Sequence, residues 1–227
     1  MEITATSKPR PWFISLTAIW RDADGYQKLR RRLESETEYR PASHHVRVRR
    51  SSWHSTVFAL AELGPGANAN QSASERGAKL LKELATTELC SALSRLAPFD
   101  VVADELSCYD SGTAVQFSSD SDLGAMRDCI RKVVKEPVEC LLGSPPFATD
   151  GIESLCDDQK KSAGPHFYGS IARSPCTLDD SSLRWKRPLS PTVPLHFDRL
   201  HLLVSDQALT NPLIRSKTDV LIRLGQR

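Results

Sequence analysis

The stretch Ser51–Leu60, SSWHSTVFAL, sets a histidine and a threonine two residues apart at the head of an apolar run. Its β-branched and aromatic content reads as a strand, and side chains alternate across a strand. The pattern therefore predicts His54, Thr56, Phe58 and Leu60 on one face. A second stretch, His166–Arg173, HFYGSIAR, repeats the idea with Tyr168 and Ser170 at the matching positions. An imidazole beside a hydroxyl suits phosphate chemistry: the ring moves a proton near neutral pH, and the hydroxyl donates to a non-bridging oxygen.

Reading outward, PWFISLTAIW predicts a strand. DADGYQKLRRRLESE predicts a helix with Tyr26, Leu29 and Leu33 inward, and HHVRVRRSSWHSTVFALAEL predicts paired strands. Residues 75–96 carry a helical stripe through Leu81, Leu84, Leu89 and Leu93. FDVVADELSCYDSGTAVQFSS predicts a hairpin turning at Asp110, Ser111 and Gly112. DLGAMRDCIRKVV predicts a helix, and FYGSIA, RLHLLVS and DVLIRL predict strands. Residues 141–165 and 174–195, rich in Pro, Gly, Ser and Asp, predict loops that bracket the second short stretch as a lid. The sum is an α+β chain with mixed strand pairing and no regular βαβ alternation.

With 227 residues, 40% hydrophobic and 26% charged, the chain has material for a substantial core. A net charge of +2 gives no global reason to bind a polyanion, so an anion site must be local. The six cysteines show no C-x-x-C and no zinc spacing. No stretch has the length of a membrane span or the apolar core of a signal peptide, so a cytoplasmic chain with reduced thiols is expected. No Gly-rich phosphate loop or G-x-S-x-G elbow occurs.

WHSTVFAL and YGSIAR, separated by a helix, a hairpin and a second helix, resemble the paired H-x-[ST] motifs of the 2H phosphoesterase superfamily. That group contains LigT-like 2′,5′ RNA ligases and cyclic phosphodiesterases. RLHLLVSDQAL is similar to its late strand ending in Ser, and the resemblance spans residues 12–224. It implies one domain over residues 1–227, with two pseudo-symmetric lobes of antiparallel sheet around a central cleft and helices outside. It implies a monomeric phosphodiesterase acting on a 2′,3′-cyclic or 2′,5′-linked nucleotide or RNA end, with no metal or cofactor. His54 would be the acid/base group, and Thr56 and Ser170 would bind phosphate. Tyr168 stands where the family places its second histidine; with a reference pKa of about 10 it is a poor base but can donate a proton. The other implied reading is a catalytically impaired module that binds a nucleotide or RNA end.

Three further residues are candidates for substrate binding. His166 has the parity of Tyr168 and Ser170 but lies about 7 Å along the strand from Tyr168. Arg173 has a parity opposite to Ser170. Trp185, among Arg184, Lys186 and Arg187, could stack a base. His201 reads as a sheet-face histidine, and His44, His45 and His196 read as loop or edge groups in water.

Overall fold

The computed structural model describes residues 12–35, 45–63, 78–79, 81–110, 112–119, 123–142, 167–173, 182–206 and 219–226. The fold is α+β. One sheet has the order β3 (His54–Leu63), β1 (Trp12–Ile19), β8 (Arg199–Asp206), β9 (Asp219–Arg223). The other has β2 (Val46–Arg47), β6 (Phe167–Arg173), β5 (Gly112–Ser118), β4 (Phe99–Tyr109), β7 (Leu183–Phe197). Every ladder among the described residues is antiparallel, so the mixed pairing expected from sequence does not occur.

The expected helix after β1 is α1 (Tyr26–Ser35), and Tyr26, Leu29 and Leu33 are buried as its 3.6-residue period requires. Beyond β3 the helical stripe is broken. Residues 81–84 are helical, Thr86 then caps α2 (Thr87–Ser94) by accepting the Leu89 N–H on its hydroxyl, and Leu81, Leu84, Leu89 and Leu93 stay buried across the break. The hairpin β4–β5 turns where predicted, with Tyr109 opposite Gly112. Helix α3 (Leu123–Leu142) runs past the expected end and takes in Leu141 and Leu142 of the expected first loop. The rest of that loop lies outside the described residues.

Two corrections concern strands. Val46 and Arg47 do not pair with β3; they pair with β6 in the other sheet, and the 3-10 turn Arg50–Ser52 separates them from β3. Residues 183–195 are not a loop but most of β7. This strand borders its sheet, where prolines 188, 191 and 194 need not donate to a neighbour on both sides. Its larger irregularity is where Leu189 to Thr192 stand opposite Asp104 alone; a smaller one leaves Arg184 extra between Leu183 and Trp185.

One aromatic cluster links the two sheets. Trp20, in the 3-10 turn Trp20–Asp22 after β1, lies 5.1 Å from Phe117 and 5.7 Å from Trp53. Phe117 and Phe167 continue the cluster to Phe99 and Phe197. Such edge-to-face and offset contacts add to the area that the rings bury.

Candidate active site

The two stretches singled out in the sequence meet at the junction of the sheets. β3 and β6 belong to different sheets, yet they pack directly on one another. Gly169 makes this possible: a Cβ there would collide with the Trp20 ring and with the carbonyl oxygen of His54. The middle residue of the second motif is thus glycine because a strand and an indole cross at that point. Gly169→Ala is expected to lower stability by about 1–3 kcal/mol through overpacking, a fall in melting temperature of about 3–10 °C. An unchanged melting curve would contradict the close approach.

Strand alternation then sorts the side chains. Trp20 Nε1–H donates to Ser55 Oγ at 3.0 Å, so Ser55, Trp20 and Gly169 occupy one side of the junction. On each strand the neighbours face away from the indole: His54 and Thr56 flank Ser55, and Tyr168 and Ser170 flank Gly169. His54 is buried, Thr56 is exposed, Ser170 is half-buried and Tyr168 is exposed.

Three bulges alter the simple alternation: one leaves Leu60 extra in β3, and the other two each move a residue that matters. In β3, Thr56 pairs with Thr17 but Phe58 pairs with Leu16, so Val57 is an extra residue. The bulge puts Phe58 on the side opposite His54 and Thr56, against the expectation of one shared face. There Arg131 of α3 lies over its ring, 5.8 Å from the centroid. The carbonyl released at Val57 accepts a 3.1 Å hydrogen bond from Arg127 Nε–H, also of α3. Burial pushes the Arg127 pKa down. In β6, Ser170 pairs with Ala114 and Ala172 with Thr113, so Ile171 is the extra residue. Arg173, opposite Gly112, thereby joins the face of Ser170 and Tyr168, where unbroken alternation would have turned it away.

His54 has its tautomer set. Its Nδ1–H donates to the Ser52 carbonyl at 2.9 Å, which leaves Nε2 with a lone pair. Burial, partly opposed by that hydrogen bond and reinforced by the charge of Arg173, lowers its pKa to about 4. The ring is therefore neutral at pH 7. The influence of Arg173 on His54 is a further sign that the ends of the two strands share one environment.

The remaining sequence candidates fall elsewhere. His166 lies outside the described residues, as does His44. Trp185 pairs with Cys108, which pairs with Thr113, so it lies on the face opposite Ser170. It packs, half-buried, against the core. His45 is buried rather than solvated, with Nε2 3.1 Å from the Asp110 carbonyl. Among the described residues no cluster of His, Cys, Asp and Glu could hold a metal ion, and no helix is long and apolar enough to cross a membrane.

Sequence reading missed the arrangement around His201. It pairs with Thr17, which pairs with Thr56, so it lies on the same side of its sheet as His54. Its Nδ1–H donates to Asp219 and its Nε2–H to Asp22, each at 2.7 Å. Burial disfavours the charge on this ring, but the hydrogen bonds to Asp219 and Asp22 outweigh it and raise the pKa to about 9. The bond from His201 in turn lowers the pKa of Asp22, against the burial that would raise it. The partners lie 18 and 179 residues away in the chain, a separation that no local pattern encodes.

The two histidines make stability depend on pH with opposite signs. Below its ordinary value of 6.5, His54 takes a proton in the unfolded chain but not in the folded one, so acid destabilises until about pH 4. The contribution of His201 is complete below 6.5 and is lost as pH rises through about 9. Denaturant unfolding should therefore give greatest stability near pH 6.5. The alkaline loss is about 2 kcal/mol after allowance for solvent at Asp22. In His201→Gln that alkaline loss should vanish; an identical loss in the variant would contradict the assignment.

No protein-family model matches the chain, and no curated protein matches it. Among solved structures, the chain is similar to the crystal structure of TT0787 of Thermus thermophilus, at 15% identity, 94% of each chain and a TM-score of 0.43. It is similar to E. coli LigT complexed with NADP+, at 12% identity over 96% of this chain and 100% of that one, with a TM-score of 0.43. A third likeness is to a crystal structure of a phosphoesterase, at 13% identity over 96% and 100% of the two chains, with a TM-score of 0.40. These likenesses are distant, and the site described above rests on the geometry of this chain alone.

Proposed function

We propose that the protein is a metal-independent phosphodiesterase of the 2H type, acting on a 2′,3′-cyclic or 2′,5′-linked phosphate of a nucleotide or RNA end. One observation carries the reading: the Ser52 carbonyl holds His54 Nδ1–H, so an unprotonated Nε2 shares a strand face with Thr56 at the crossing with β6. In this account Nε2 takes a proton from the attacking water as the water oxygen bonds to phosphorus. The bond from phosphorus to the leaving ribose oxygen breaks, and Tyr168 Oη–H supplies the proton that this oxygen gains. Thr56 and Ser170 hydroxyls donate to the non-bridging oxygens, and Arg173 offsets the charge that develops on them. His166 remains a candidate for holding the rest of the substrate, whereas Trp185 packs on the opposite face of its sheet.

A second reading is supported by the environment of His54. A buried imidazole whose pKa is lowered to about 4 is a weak proton acceptor at pH 7. The same site would then bind a nucleotide or RNA end without turning it over. The test is a panel of 2′,3′-cyclic and 2′,5′-linked nucleotides, assayed for turnover and for binding with the wild-type protein. Turnover of a member supports the first reading and binding without turnover the second. Neither turnover nor binding removes both.

A further inference from the structure

We propose that His201, clamped between Asp22 and Asp219, is a positioning residue for the site at His54, acting through the 3-10 turn that carries Trp20. The proposal rests on the reading of that site given above. The turn spans only Trp20–Asp22 and is tied at both ends. At its start, Trp20 N–H donates to the Trp53 carbonyl at 3.1 Å, just ahead of His54. At its end, Asp22 Oδ2 accepts from His201 Nε2–H at 2.7 Å. Between these ties the Trp20 indole bonds Ser55 and fills the space against which Gly169 closes. The indole is thus the wedge that sets how β6 lies on β3, and hence where Tyr168, Ser170 and Arg173 stand relative to His54 and Thr56.

The clamp suits such a role because its ring and one of its two carboxylates are nearly sealed from solvent. The His201 side chain is 6% exposed and Asp219 10%. One cation faces two carboxylates, so removing its charge leaves two anions with no cation between them. Around the clamp stand Arg21, 3.9 Å from Asp22 in the same turn, and Arg199 of β8, whose charge also acts on Asp22. Asp24 acts in turn on Arg199, and the facing position on β1 is the uncharged Thr17. Neither arginine comes between the two carboxylates and the ring.

The experiment is a pH titration by NMR of the ligand-free protein, following the His201 ring and the Gly169 amide, together with the pH dependence of kcat and KM on a 2′,3′-cyclic nucleotide. In wild type, the Gly169 amide should shift with the same midpoint as His201, near pH 9. Turnover should have an alkaline limb at that midpoint, expressed in kcat. Asp219→Asn keeps an acceptor for Nδ1–H but removes a charge, so both midpoints should move to lower pH together while the fold persists at pH 6. A Gly169 amide indifferent to the His201 titration, or an alkaline limb that Asp219→Asn leaves in place, would overturn the proposal. Should Asp219→Asn not fold, Asp22→Asn applies the same test from the other carboxylate. The amide readout needs no substrate, so absence of turnover counts against the proposed function while the coupling is still decided.

Discussion

His54→Ala should lower turnover of a 2′,3′-cyclic nucleotide by about 10²–10⁴-fold, with the loss in kcat more than in KM. That range is what one positioned proton-transfer group contributes, and it corresponds to about 3–5 kcal/mol of transition-state stabilisation. The ring is fixed at Nδ1 by Ser52, so Nε2 is the nitrogen that an alanine removes from the chemistry. The fold should survive the change at neutral pH with some loss of stability, since a buried ring and its bond to the Ser52 carbonyl are removed. The pH profile supplies an independent check. A base must be unprotonated, so the wild-type rate should hold down to about pH 4 and fall below it, rather than falling near the ordinary value of 6.5. Steady-state kinetics across pH 3.5–8 measures both. Unchanged turnover in His54→Ala, or a wild-type acid limb near 6.5, would contradict the assigned role.

Tyr168→His is the second large effect, and its direction is a gain. Tyr168 is exposed, on the face that Ser170 and Arg173 share. If departure of the leaving oxygen is limited by a weak proton donor, an imidazolium at this position should raise kcat, by as much as about 10²-fold. The alkaline limb would also move down from that of His201 near pH 9 to that of the new imidazolium, so the two limbs would report macroscopic pKa values that belong to the facing pair. Tyr168→Phe gives the converse test. If wild type is already fast and Tyr168→Phe abolishes turnover, tyrosine is itself the acid and the impaired-site reading fails. If Tyr168→His changes nothing, the leaving group is not protonated from β6.

Much of the fold was legible because its signals are local. The α1 stripe, the β4–β5 turn at Gly112 and the apolar runs of β1, β8 and β9 all follow from period and turn chemistry. β7 was missed because prolines count as loop signals, and only its place at the border of a sheet makes them acceptable. The sheet to which Val46 and Arg47 belong was missed because the 3-10 turn Arg50–Ser52, not a hairpin, separates them from β3. Within the site, the pairing of His54 with Thr56 was readable from strand alternation. Phe58 and Arg173 were put on the wrong faces because a bulge shifts parity by one and leaves no mark in a period-2 pattern. The His201 clamp was beyond local reading altogether, since its carboxylates come from a turn near the start of the chain and a strand near its end.

If β3 and β6 present one phosphate site between them, NMR titration of the protein with a 2′,3′-cyclic nucleotide should shift the His54 ring nitrogens and the amides of Thr56, Tyr168, Ser170 and Arg173 together along a single binding curve. Nε2 should move more than the Ser52-bonded Nδ1. Shifts confined to one of the two strands, or binding that leaves His54 Nε2 unmoved, would contradict it.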